Sequence, residues 1–296
     1  MTHNNNFNPL PWYTSLDQQN HRKSYVYGEI YPLYTQANFI LPWQVQTPLT
    51  ENIERLFLNV YHEDGTLYQA VDSSAIDNDI TILTMTDCQY VICVPTFPLV
   101  TNQPDGRYYA TLRLVTDNED VTYYSEVYTV VQSMANFLKI EWYDTDPLFY
   151  EGGQINYSSK INYKNHIYLP TELGKPEYTF EETGEDRDGF YFPEKQLSEK
   201  TYRFNFLAPE YLLDAMRIIR LSDYVTITDQ FGVQYKPDKF LMTPKWTQNG
   251  DLAQVEVEFQ TNTVIKKIGR GVVTGGDADY NADYNNDYLI NNNQNS

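Results

Sequence analysis

From Ile53 to Val131 short runs of alternating apolar and polar residues recur, each closed by a turn signal. Leu56-Phe57-Leu58-Asn59-Val60-Tyr61 gives way to His62-Glu63-Asp64-Gly65, Asp105-Gly106 opens Arg107–Leu114, and Asp117-Asn118-Glu119-Asp120 separates that run from Thr122–Val130. A period of two sends successive side chains to opposite faces, which suits a half-buried strand and not a helix. Alternation with turns at this spacing predicts a β-sandwich. Composition agrees: 27 Tyr and 14 Phe against 5 Met favour pleated surfaces over helices.

A chain of 296 residues has room for two domains that each bury a core. Residues 1–20 read as an extended arm, with Trp12, Tyr13 and Leu16 costly to leave in water, so the arm is expected to dock on a partner or on its own body. Residues 21–133 read as the first sandwich. Its paired runs near Tyr108–Leu114 and Tyr123–Val130 resemble the last hairpin of immunoglobulin-like or fibronectin-like modules, without the cysteine and tryptophan marks of a true immunoglobulin domain. Ser133-Met134-Ala135-Asn136 is the expected boundary. Residues 134–270 read as a second sandwich carrying one packed helix, so the predicted class is mainly β: two β-sandwich-like domains, the C-terminal one α+β. Residues 271–296, rich in Asn, Asp and Tyr, bury too little to order themselves and are expected to be disordered or ordered by a partner.

The helix is predicted after Ala208-Pro209, continuing through Leu221. Proline at a helix start gives up an amide with no intrahelical partner, Glu210 suits the positive first turn, and Arg217 and Arg220 suit the negative end. Leu212, Ala215, Met216 and Ile219 recur at helical spacing and predict a buried stripe.

A formal charge of −19 argues against a general grip on phosphates or anionic lipid, so neither direct nucleic-acid recognition nor membrane binding is expected. No segment has the length and apolarity of a membrane span, and the N-terminus is no signal peptide. Cys88 and Cys93 lie five apart on a predicted strand and point to opposite faces, which disfavours a disulfide between them. The four histidines form no ligand-spaced pair, no serine sits in a nucleophile elbow, and the acidic run Glu181–Asp188 lacks the spaced ligands of a calcium loop. That run reads as a solvated loop or one pairing with basic groups across a subunit contact, and the charged stretch Tyr178–Phe192 around it is expected to hold a hairpin turn or loop tip near its middle. No catalytic, cofactor-binding or metal residue is assigned, and no enzyme activity is expected.

Several stretches resemble proteins of tailed phages and prophages of Bacteroidetes, including crAss-like phages. They are Trp12–Asp17, Lys23–Leu33, Leu173–Glu182 with Asp186-Arg187-Asp188-Gly189, Pro209–Ala215, and Thr243-Pro244-Lys245-Trp246 with Gly250–Ala253. The resemblance implies a virion structural role: a homo-oligomeric ring in a tail or neck, assembled in the host bacterial cytoplasm beside other tail, neck or fibre proteins. It transfers no catalytic residue. Expected subunit contacts are Trp12, Tyr13, Glu181, Glu182, Arg187, Tyr280 and Tyr284. The alternative is a host-surface or glycan-binding decoration whose tyrosines meet the ligand.

Overall fold

The computed structural model describes residues 9–16, 33–36, 43–48, 52–71, 80–84, 88–93, 104–145, 149–150, 154–155, 164–246 and 252–267. In chain order the strands are β1 (Trp12–Tyr13), β2 (Tyr34–Thr35), β3 (Trp43–Pro48), β4 (Ile53–His62), β5 (Leu67–Val71), β6 (Ile80–Thr84), β7 (Cys88–Cys93), β8 (Gly106–Thr116), β9 (Asp120–Ser125) and β10 (Tyr128–Val130). They continue as β11 (Leu138–Tyr143), β12 (Phe149–Tyr150), β13 (Gln154–Ile155), β14 (Asn165–Leu169), β15 (Glu177–Arg187) and β16 (Phe190–Pro209). After helix α1 (Glu210–Met216) come β17 (Tyr224–Thr228), β18 (Gln234–Tyr235), β19 (Lys239–Trp246) and β20 (Leu252–Lys267). With 64% strand and 7% helix, the chain is mainly β, sandwich-like, with one α-helix near its C-terminal end among the described residues.

The chain divides into two compact units, Met1–Lys175 with Tyr202–Phe259, and Pro176–Thr201 with Gln260–Ser296. The predicted boundary at Ser133–Asn136 therefore falls inside the first unit. The reason is β2, which pairs parallel to β10 and antiparallel to β14 and so joins strands from both sides of that boundary into one sheet. The sheet runs β1-β9-β8-β10-β2-β14-β11-β17-β18, with β4 and β5 added on the other side of β8. Smaller sheets are β3-β7-β6, β12-β13 and β15-β16-β20-β19.

The predicted strand Thr122–Val130 is interrupted. β9 pairs with β8 in the register Thr111↔Tyr124, while β10 pairs with it in the register Tyr128↔Tyr108, a shift of one residue. Such a shift is a bulge, and it leaves an amide to be satisfied from elsewhere. The Ala110 N–H donates to Ser125 Oγ at 2.8 Å, and Glu126, itself buried, accepts from the Val127 N–H at 2.9 Å. At this kink the neighbouring strand changes from β1, antiparallel, to β2, parallel.

Most buried apolar side chains of the first unit form one cluster, with Tyr109 and Val127 in a smaller one. Leu56, Leu58, Leu112 and Leu114 from β4 and β8, Ile140 and Trp142 from β11, Phe204 and Phe206 from β16, and Val255, Val257 and Phe259 from β20 are all buried in the larger. The helical stripe behaves as its spacing predicts: Leu212, Ala215, Met216 and Ile219 are buried. The helix is shorter than predicted. Arg217 caps it, and a 3₁₀ turn at Ile219–Leu221 leads to β17.

The turn after β17 is held by one carboxylate. Asp229 Oδ1 accepts from the Phe231 and Val233 N–H groups at 2.9 Å each, and Asp229 Oδ2 accepts from the Tyr235 hydroxyl at 3.1 Å. Burial and that hydrogen bond push the Tyr235 hydroxyl well above its ordinary range, so it stays a donor. Asp229→Ala strands three donors and is expected to cost about 2–3 kcal/mol in urea unfolding. Phe231→Ser, at the 81% exposed tip of the same turn, is expected to change stability by less than about 0.5 kcal/mol.

Candidate interaction surfaces

The second unit contains a long hairpin. β15 and β16 pair from Glu177↔Thr201 to Arg187↔Phe190, and the turn is Asp188-Gly189, with φ of 53° and 84°. Two consecutive residues of positive φ match the right-handed twist of a two-residue hairpin, and Asp-Gly is the pair that adopts them readily. The acidic run Glu181–Asp188 is therefore mostly strand, and its turn lies at its end. Sequence reading missed the strand because charges at consecutive positions hide the alternation, whereas Asp-Gly was the available signal.

Between Thr183 and Gly184 the register slips. A side chain at Gly184 would place its Cβ 2.1 Å from the Phe192 carbonyl oxygen, so only glycine lets the strands approach this closely here. Before and after the slip, alternation puts Tyr178, Phe180 and the Asp186 partner Tyr191 on one face and Phe190 on the other. All four rings are exposed: 71% for Tyr178, 66% for Phe180, 62% for Phe190 and 48% for Tyr191. Acidic side chains outnumber Arg187, Lys195 and Lys200 along this hairpin. Aromatic side chains open to water on a negatively charged hairpin at the edge of a four-stranded sheet fit a partner surface better than a free surface.

A second surface lies in the first unit on β14, β11 and β17. Cross-strand register sets Lys139 beside Tyr168, Glu141 beside His166, and Tyr143 beside Tyr224. Lys139 Nζ lies 2.7 Å from Glu141 Oε2 and Lys164 Nζ lies 3.5 Å from Glu141 Oε1. Lys164 also sits 4.8 Å above the Tyr143 ring, which stacks on Tyr224 at 4.8 Å. Which strands would flank Lys139, Glu141 and Tyr143 was not readable in the sequence.

Burial and ion pairing oppose each other at Glu141. Desolvation raises its carboxyl, yet the hydrogen bond and charge of Lys139, with Lys164 behind them, hold it below its ordinary value. Burial also lowers the His166 imidazole. Both groups thus have depressed folded-state values, so each adds stability above its unfolded value and loses it as pH falls towards the folded one. Urea midpoints are expected to drop first below the ordinary histidine value of 6.5 and again below the glutamate value of 4.5. His166→Asn should remove the upper step and Glu141→Gln the lower.

The expected subunit contacts fall into three places. Trp12 is 2% exposed, buried in the core of its own subunit and paired with Ser125, so in this structure its ring offers nothing to a neighbour. The indole fills a gap at the β9 edge of its own chain. Tyr13 pairs with Tyr124, and its hydroxyl donates to Glu126 Oε2 at 3.2 Å. The arm thus docks on its own body over these residues. Glu181, Glu182 and Arg187 lie together on β15, where the Gln196 amide donates to Glu182 Oε2 at 2.6 Å. Tyr280 and Tyr284 lie outside the described residues.

Among the described residues no group of three or more His, Cys, Asp or Glu converges as a metal would require, and no helix is long and apolar enough to cross a membrane. No family model matches the chain. No curated protein matches it either. One solved structure, Dpr2 Ig1-Ig2 in complex with DIP-Theta Ig1-Ig3, aligns over 79% of this chain and 88% of that chain at 8% identity and a TM-score of 0.13. A superposition that loose carries no argument about this chain.

Proposed function

We propose that the chain is a structural, non-enzymatic subunit of a tailed-phage virion: a ring-forming tail or neck protein that docks neighbouring tail components. The observation that carries this reading is the β15–β16 hairpin. Four aromatic rings stand exposed on it, and its strands close on a glycine that admits no side chain. Covering such rings is favourable by about 25 cal/mol per Å² of apolar surface removed from water. β15 is also an edge strand of its four-stranded sheet, a backbone edge that a neighbour's sheet can extend. Repetition of one such contact around an axis closes a ring. The likeness of the Leu173–Glu182 and Asp186–Gly189 stretches to phage proteins falls on this same hairpin.

Sedimentation and negative-stain electron microscopy of the purified chain test the reading. Closed rings that Tyr178→Ser/Phe180→Ser reduces to monomers, with an unchanged melting temperature of the first unit, are expected. A wild-type chain that stays monomeric at every concentration overturns the proposal.

A further inference from the structure

The lysine and tyrosine face of the first unit has more donors than its own carboxylate can use. An ammonium group carries three N–H donors, and Lys139 and Lys164 share the single carboxylate of Glu141. Each lysine also rests on a ring, Lys139 6.0 Å from the centre of Tyr168 and Lys164 4.8 Å from that of Tyr143. With His166 held towards its neutral form, this face is locally positive on a chain of net charge −19. An incoming carboxylate would find two cations here and an aromatic floor beside each.

A segment of the same polypeptide has the matching chemistry. Beyond Lys267, the last described residue, the sequence continues to Ser296, and from Gly271 onward it contains no lysine or arginine. It carries Asp279-Tyr280, Asp283-Tyr284 and Asp287-Tyr288, a carboxylate next to a ring at every fourth position. Four residues reach at most about 13 Å, farther than two ammonium groups on one carboxylate are apart, so successive aspartates can engage both. A tail of this length reaches up to about 100 Å when extended, well beyond the width of a domain with a radius of gyration near ~18 Å. A neighbouring copy in the proposed ring would lie within that reach.

We propose that the Asp-Tyr repeats of one copy's C-terminal tail dock on the Lys139–Lys164 face of the next copy. The aspartates take the remaining lysine donors, and the tail tyrosines pack against Tyr143, Tyr168 and Tyr224. The proposal rests on the ring reading insofar as it needs a neighbouring copy, and it names a contact separate from the hairpin. Exposed ion pairs are screened by salt, so this contact should loosen between low and high ionic strength.

The test mixes isotopically labelled and unlabelled full-length chain and joins touching carboxylates and amines with a zero-length carbodiimide. Mass spectrometry should then find mixed-isotope peptides coupling Asp279, Asp283 or Asp287 to Lys139 or Lys164, with yield falling several-fold at high salt. The variant Asp279→Asn/Asp283→Asn/Asp287→Asn should raise the dissociation constant of the assembly about tenfold. Coupling confined to one isotope, or directed to other lysines, overturns the docking. So do rings of unchanged affinity in the triple variant, and that result leaves the ring reading standing. A wild-type chain that never assembles removes both.

Discussion

Trp12→Ala is expected to destabilise the first unit by about 3–5 kcal/mol, the usual cost of emptying a buried tryptophan site. In a unit of this size that corresponds to a melting point lowered by about 10 °C or more. The loss has two sources. The indole fills the core beside Leu10, and the two residues of β1 close the β9 edge through Trp12↔Ser125 and Tyr13↔Tyr124. Tyr13→Phe separates them: it keeps the strand and the packing but leaves the buried carboxylate of Glu126 without its 3.2 Å phenol donor. A cost of about 1–2 kcal/mol is expected for it. Thermal unfolding of the full chain checks both. If Trp12→Ala changed assembly and left the melting point untouched, the tryptophan would act between subunits and not in this core.

Gly184→Val is expected to have the second largest effect, and in a different place. The new Cβ would meet the backbone of Phe192 and Pro193 at 2.1–2.8 Å, where no rotamer offers relief. The hairpin beyond the slip must give way, exposing residues 185–193 to protease at a rate raised tenfold or more, while the first unit keeps its melting temperature. Assembly should fall with it. Gly189→Ala makes the control, since its Cβ would touch nothing within 4 Å and it bears only the cost of φ +84°, about 1 kcal/mol. Equal damage from both substitutions would place the fault in turn strain and not in the close approach of the strands.

Local features were legible in the sequence and pairings were not. The turn at His62–Gly65, the opening of β8 at Gly106 and the buried stripe of α1 all follow from period and turn chemistry, which act over a few residues. The joining of two expected domains into one sheet did not, because it depends on Tyr34 meeting both Thr129 and Tyr168, partners 95 and 134 positions away. The same holds for the Lys139–Glu141–Lys164 cluster. The pairing of two cations around one carboxylate exists only once β14 lies beside β11. Trp12 shows the limit from the other side. An aromatic residue in an unpatterned arm needs burial, and sequence alone does not say whether the cover belongs to the same molecule or the next.

The N-terminal strand imposes an order on synthesis. Tyr13 meets Glu126 across 113 positions of chain, and a ribosome adding roughly 5–20 residues per second takes on the order of ten seconds to make that stretch. β1 thus leaves the exit tunnel well before its groove exists, with its tryptophan uncovered in the meantime. On a polysome that interval is when a nascent chain is most open to its neighbours.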